Sequence, residues 1–155
     1  QIEPTSICNY RCVFCFETDE TFTNKKNGHM GQMKLDLFKK VIDQAEGNVE
    51  FISIASRGEP LACPNIVKML EYTVGKFLNL KLNTNASLLD EKKSHAILSG
   101  GVKTIVFSAD AGALRIVQYV GRSARSAGRS LRLRGGGGPA DFLPPKTHWP
   151  ACVAV

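Results

Sequence analysis

Cys8-Asn9-Tyr10-Arg11-Cys12-Val13-Phe14-Cys15 sets three thiols in the spacing C-x3-C-x2-C on one short segment. Three thiolates on such a loop suffice to hold three irons of a four-iron cluster. The fourth iron then keeps an open position for a substrate or cofactor, whereas cluster proteins ordinarily supply four cysteines. Two plainer readings stand beside this one: a zinc site, or buried thiols with no metal. Zinc usually takes two separated cysteine pairs, or cysteines mixed with histidines. No second C-x2-C and no H-x3-H follows in this chain. On spacing alone all three readings stay open.

Around this loop the chain alternates between strand and helix patterns. Residues 2–6 read as an extended lead-in, a strand expected to be cut off at its start. Residues 17–32 are polar and glycine-punctuated, hence a loop. Leu37, Phe38, Val41, Ile42 and Ala45 recur at helical spacing and predict a helix over 34–45, ended by Gly47-Asn48. Residues 49–55 form a β-rich run whose continuous apolar character suits burial on both faces.

Pro64 opens a second helix that should bury Ile66, Val67, Leu70, Val74 and Phe77. A short strand follows at 80–83. Asp90 begins a third helix with Ala96, Ile97 and Leu98 inward, stopped by Gly100-Gly101, and 102–108 is a fourth strand.

Strands alternating with helices of this length argue for βαβ units and a parallel sheet. Ligands gather beyond the carboxyl ends of such strands. The cysteine loop, Ser56-Arg57-Gly58-Glu59-Pro60, Asn83-Thr84-Asn85 and Ser108-Ala109-Asp110 all fall there.

The 155 residues leave room for one domain. No run of eighteen apolar residues marks a membrane span, and no signal peptide is expected before the cysteine loop. Five cysteines, three of them within eight positions, fit a reduced, metal-binding use and a cytoplasmic setting better than a disulfide framework. The charge is uneven. Residues 1–112 balance 13 basic against 13 acidic side chains, while 113–155 carry seven basic against Asp141 alone.

Arginine replaces lysine as the main basic residue at the same point, and a Gly135–Gly138 run and several prolines follow. A boundary near Gly112 is therefore expected. It divides a 1–112 core from a 113–155 tail with little packed structure, read as disordered or as a terminus foreign to the core.

The 1–112 core resembles the radical S-adenosylmethionine (radical SAM) enzymes. Three features carry the resemblance: the C-x3-C-x2-C loop with Phe14 before its last cysteine, the Gly58-Glu59-Pro60 turn about forty residues on, and the strand–helix alternation around them. It implies an α/β fold, a partial parallel (β/α) barrel of about four strands and three helices where complete family barrels have more. It implies a [4Fe-4S] cluster on Cys8, Cys12 and Cys15, and S-adenosylmethionine bound at its open iron. Reductive cleavage would give a 5′-deoxyadenosyl radical that abstracts hydrogen from a substrate, a peptide or small metabolite, with a small reductant protein as electron donor.

By the same resemblance Phe14 packs near the adenine and Gly58-Glu59-Pro60 receives the methionine amino group. Asn83, Asn85, Ser108 and Asp110 reach ribose or carboxylate. The chain departs from the usual Gly-Gly-Glu-Pro by carrying Arg57 in first place.

Each residue also has a plainer role. Phe14 reads equally as core and Glu59 as a solvated loop carboxylate. Asn83 and Asn85 read as turn formers, and Ser108 and Asp110 as strand-end caps. Cys63 reads as a small buried hydrophobe; His29, His95 and His148 read as surface residues, and Cys152 carries no signal. The alternative function is an inactive, truncated iron–sulfur or metal-binding fragment whose basic tail meets nucleic acid or acidic partners. That tail lacks the interleaved aromatics of a base-stacking surface, so nucleic acid is not the expected partner.

Overall fold

The computed structural model describes residues 1–55 and 57–108, together with the backbone of Val153–Ala154. Its elements, in chain order, are β1 (Tyr10–Arg11), α1 (Glu20–Thr23), α2 (Leu35–Ala45), β2 (Phe51–Ile54), α3 (Ile66–Tyr72), β3 (Asn79–Thr84), α4 (Glu91–Ser99), β4 (Val102–Phe107) and β5 (Val153–Ala154). Asp110, the expected boundary at Gly112 and the tail composition lie outside the described residues.

β2, β3 and β4 form a parallel sheet in that order. Ile52 faces Leu80, and Leu82 faces Ile105 across the strands. Parallel neighbours need a crossover; α3 joins β2 to β3 and α4 joins β3 to β4. The expected first strand is reduced to a single parallel bridge, Ile2 to Ile54, with Ile2 N–H donating to Ser53 O at 2.8 Å. The two-residue β1 pairs antiparallel with β5 instead. The architecture is α/β with a three-stranded parallel sheet, consistent with part of a (β/α) barrel.

Among the described residues, the helices cover one face of the sheet. Phe38 and Ile42 of α2, Ile66, Met69 and Leu70 of α3, and Ala96 and Ile97 of α4 pack with Ile52, Ile54, Leu80, Leu82 and Ile105 of the sheet. Each full burial of a large apolar side chain contributes about 1.5–3 kcal/mol, so this layer holds the strands in place.

The opposite face carries Phe51, 64% exposed, and Val106 beside Asn83 in register. The expectation that the 49–55 run is buried on both faces is therefore wrong. With helices on one side, strand alternation leaves Phe51 outside while Ile52 and Ile54 are buried.

The helix ends follow local chemistry. Asp90 accepts from the Lys93 amide at 2.7 Å as the α4 cap. Gly100 closes α4 against the end of α3, where a Cβ would lie 2.5 Å from Ala96 O and 3.1 Å from Leu70 O. α3 stops at Tyr72, short of the expected length, and Val74 is 53% exposed. Its last turn is closed by the Thr73 hydroxyl donating to Leu70 O at 2.7 Å. The expected 17–32 loop contains the single-turn α1 and two short 3-10 turns.

Candidate cluster and cofactor site

The carboxyl ends of β2 and β3 carry the site. After β2 the chain turns through Gly58-Glu59-Pro60 and docks on the segment that leads into the cysteine loop: the Glu59 N–H donates to Ile7 O at 3.0 Å. The approach at Gly58 leaves no room for a side chain, since a Cβ there would lie 2.3 Å from Thr5 O and 2.7 Å from both Ile7 N and O. Glycine is demanded by sterics.

Glu59 is not a solvated carboxylate. It is 2% exposed, and its oxygens accept from Leu61 N at 3.0 Å, the Thr84 hydroxyl at 2.6 Å and Asn85 N at 2.7 Å. Burial pushes its carboxyl above the usual range, while the Thr84, Asn85 and Leu61 donors oppose that shift. Its side chain joins the ends of β2 and β3.

Asn85 turns the other way, toward the cysteines. Its side-chain amide N–H group approaches Cys8 Sγ at 3.8 Å and Asn9 Oδ1 at 3.1 Å. Its Oδ1 accepts from the Ser87 amide at 3.0 Å and hydroxyl at 2.7 Å, and Asn9 Nδ2 donates back to Ser87 Oγ at 2.8 Å. Ala86, between them, sits at φ 62°, a left-handed conformation that costs a non-glycine residue about 1–2 kcal/mol.

Within the loop, Tyr10 N–H also reaches Cys8 Sγ, at 3.4 Å. Cys15 N–H donates to Cys12 O at 2.8 Å, and Thr18 closes the next turn on Cys15 O through its amide and hydroxyl. Arg11 donates to Cys8 O and Tyr10 O, both at 3.0 Å, and pairs at 3.1 Å with Glu17, whose side chain is 1% exposed. Glu17 and Asn9 were not singled out in the sequence. Their partners are set by the folded loop, and only the charge opposition of Arg11 and Glu17 could have hinted at a pair.

Phe14 is 72% exposed, Val13 55% and Phe16 42%. Phe14 is therefore not core; the loop presents it outward. Arg57 bends away from the thiols: its Nε donates to Glu3 at 3.1 Å and its guanidinium lies 5.3 Å over the Phe22 ring. Asn83 lies on the uncovered sheet face, with a buried Oδ1 that has no donor among the described residues. Ser108 is exposed, and its amide donates to Thr84 O at 2.9 Å. Cys63 is buried at 2% exposure, as a small hydrophobe would be, and His29 and His95 are exposed.

The donor set suits an iron–sulfur cluster. Cys8 and Cys15 are free thiols; Cys12 is disulfide-bonded in this structure and must be reduced before it can ligate. Burial pushes the Cys8 thiol up, with Glu59, Glu17 and Cys15 adding to the rise and the Tyr10 amide opposing it. A bound cation reverses that balance and deprotonates a coordinating thiol outright. Among the described residues, no three His, Cys, Asp or Glu side chains are gathered around a position for one metal ion. A cluster instead gives each thiolate its own iron.

The family model for the radical SAM superfamily matches residues 2–132. The chain belongs to the radical SAM superfamily. Members of this family use a [4Fe-4S] cluster and S-adenosylmethionine, and these are its cofactors. The match crosses position 112, where the composition changes.

Two curated relatives place the radical SAM chain further. The tungsten-containing aldehyde ferredoxin oxidoreductase cofactor-modifying protein of Pyrococcus furiosus is 31% identical over 111 residues, 70% of this chain and 30% of that protein. The GTP 3′,8-cyclase of Desulforamulus reducens is 32% identical over 113 residues, 71% of this chain and 33% of that protein. The chain thus spans about a third of the length of these relatives.

Among solved structures, BtrN in complex with AdoMet and 2-DOIA superposes with a TM-score of 0.57 at 24% identity. It covers 68% of this chain and 42% of that one. That likeness supports the fold. No described helix is long and apolar enough to cross a membrane.

Proposed function

We propose that this chain binds a [4Fe-4S] cluster through Cys8, Cys12 and Cys15 and presents S-adenosylmethionine to it for reductive cleavage. The observation that carries the reading is the docking of Gly58-Glu59 on Ile7 at the threshold of the cysteine loop, through the 3.0 Å bond from Glu59 N–H to Ile7 O. It puts the two motifs of the family on one rim. Held by Cys8, Cys12 and Cys15, a reduced cluster would supply the one electron that breaks a carbon–sulfur bond of the sulfonium, and methionine and a 5′-deoxyadenosyl radical able to take hydrogen from a substrate would result.

The chain's own residues position and shield. The Gly58-Glu59-Pro60 backbone receives the methionine amino group, with the Glu59 carboxylate fixing the turn from behind. Phe14, exposed on the loop, offers a flat apolar surface to the adenine. Asn83, Ser108 and Asp110 supply polar contacts to ribose or carboxylate. The buried, donorless Oδ1 of Asn83 supports its part in this, since such an atom gains from a donor on an incoming ligand.

The electron comes from a small reductant protein, and the clustered thiols suit a reducing cytoplasm. The substrate is a peptide or a small metabolite. The named relatives act on different molecules, so none of their substrates is carried over.

Anaerobic reconstitution of the full chain with iron, sulfide and a thiol reductant tests the reading, followed by dithionite and S-adenosylmethionine. Four irons per chain and release of 5′-deoxyadenosine support it. A cluster with no product means binding without turnover, and uptake of one zinc in place of iron sinks the assignment. Cys12→Ala should abolish four-iron incorporation.

A further inference from the structure

The rim of β3 holds an amide that is committed to a cluster ligand. Asn85 Nδ2 lies 3.8 Å from Cys8 Sγ, within reach of an N–H···S hydrogen bond. Its orientation is fixed from three sides. Oδ1 accepts from both the amide and the hydroxyl of Ser87, so the side-chain nitrogen, not the oxygen, must face the sulfur. That nitrogen also meets Asn9 Oδ1 at 3.1 Å, and a carbonyl oxygen there requires a donor opposite. The Asn85 backbone is held separately by Glu59 Oε2 at 2.7 Å. A residue held at both backbone and side chain keeps its N–H on the sulfur at little cost in disorder.

We propose that Asn85 is a positioning residue that raises the reduction potential of the cluster by donating a hydrogen bond to the Cys8 thiolate. This rests on the cluster assignment proposed above. Reduction adds an electron that is delocalised partly onto the ligand sulfurs, and a donor aimed at a sulfur stabilises the more negative state. Hydrogen bonds to cluster sulfurs are one of the main determinants of potential, and partners that orient a metal ligand act on it in the same way.

Cys8 receives two such bonds, from Tyr10 N–H and from Asn85. The first belongs to the backbone and persists whatever the side chain. The second depends on one residue, 77 positions away in sequence. The family resemblance implies ribose or carboxylate for Asn85; in this structure its amide nitrogen meets Cys8 Sγ and Asn9 Oδ1.

The test is a redox titration of the reconstituted full chain, followed by electron paramagnetic resonance, with iron content measured in parallel. Asn85→Asp keeps the acceptor for Ser87 and replaces the donor with an anionic oxygen facing the sulfur. Asn85→Ser removes the reach. Both should retain four irons and make reduction at least tenfold less favourable, a fall of 59 mV or more for one electron. Ser87→Ala, which loosens the orientation without touching Asn85, should fall in the same direction by less.

An unchanged potential in loaded Asn85→Asp or Asn85→Ser overturns the proposal. If neither Asn85 variant holds a cluster, Ser87→Ala decides: a lowered potential supports the tuning role, and a wild-type potential assigns Asn85 a purely structural one. Failure of the wild-type chain to assemble a cluster would instead sink the proposed function itself, so the two failures are distinguishable.

Discussion

The Thr84 hydroxyl donates to Glu59 Oε1 at 2.6 Å, joining the last residue of β3 to the turn that follows β2. With Leu61 N and Asn85 N on the same carboxylate, Glu59 closes three donors at the centre of the rim. The Gly58-Glu59-Pro60 turn and the cysteine-facing residue Asn85 are thus fixed by one buried acid. Its removal affects both.

Glu59→Ala leaves those three donors without an acceptor. The Leu61 amide and the Thr84 hydroxyl are buried; each orphaned buried donor costs about 1–3 kcal/mol, so a loss of at least about 2 kcal/mol is expected in urea unfolding at neutral pH. The sign of the pH dependence follows from burial, which holds the folded-state carboxyl above its usual range. A raised value means the folded chain keeps this proton longer than the unfolded one. The contribution is full below the ordinary carboxylate range and is lost as pH rises through the raised value. The deficit of Glu59→Ala should therefore widen toward acidic pH. Parallel stability–pH curves for the two proteins would contradict this.

Gly58→Ala should destabilise the rim and loosen the cysteine loop together. The new methyl would meet backbone, not a flexible side chain: Thr5 O at 2.3 Å and Ile7 N and O at 2.7 Å. Overpacking of this kind costs about 1–3 kcal/mol, and the Thr5–Ile7 segment that must yield leads directly into Cys8. A thermal melt and an iron assay after reconstitution check it. A variant as stable and as iron-loaded as the wild type would mean that the turn does not hold the loop.

The two members of the Arg11–Glu17 pair should respond unequally. Glu17 is buried, neither of its oxygens has a hydrogen-bond donor aligned on it among the described residues, and Arg11 stands 3.1 Å away with its side chain 31% exposed. Burial pushes the Glu17 carboxyl up and Arg11 opposes it. Arg11→Ala strands a buried acid, the costly way to break such a pair, and also frees Cys8 O and Tyr10 O. Glu17→Gln removes the charge and leaves an arginine that can still reach water. Arg11→Ala is therefore expected to lose more stability, by about 1 kcal/mol or more. Equal losses would show that the pair is not the link that matters.

Much of the fold was legible because it depends on local periodicity. Phe38 and Ile42, four apart, marked the buried stripe of α2, and Asp90 marked the start of α4. Spacing did not fix how wide each stripe is. Leu37 fell within the expected face yet is 53% exposed, and Met69 is fully buried without having been singled out.

The cysteine loop and the Gly58-Glu59-Pro60 turn were recognisable as motifs, and their shared rim followed from strand alternation. The partners of Glu59, Asn9 and Asn85 were not. Thr84 lies 25 positions from Glu59, Ser87 78 from Asn9 and Cys8 77 from Asn85, and pairings at such distances are decided by the packed sheet. The left-handed Ala86 was equally hidden, since alanine gives no sign of it.

Arg57 stands in the first position of the turn that the family resemblance gives as Gly-Gly-Glu-Pro. The side chain is 44% exposed and leans toward Glu3 and the Phe22 ring, away from the thiols. Phe22 in turn packs edge-on against Phe16 and stacks on His29, so Arg57 helps to hold the segment after the cysteine loop. Arg57→Gly restores the usual turn sequence and removes both contacts. An exposed ion pair contributes about 0–1 kcal/mol and an exposed cation–π contact about 0.5–1 kcal/mol, so a loss of about 0.5–2 kcal/mol is expected. The three sulfurs and the Glu59 donors are untouched, so iron content after reconstitution should match the wild type. A variant that melts normally but takes up no iron would instead place Arg57 among the residues the cluster needs.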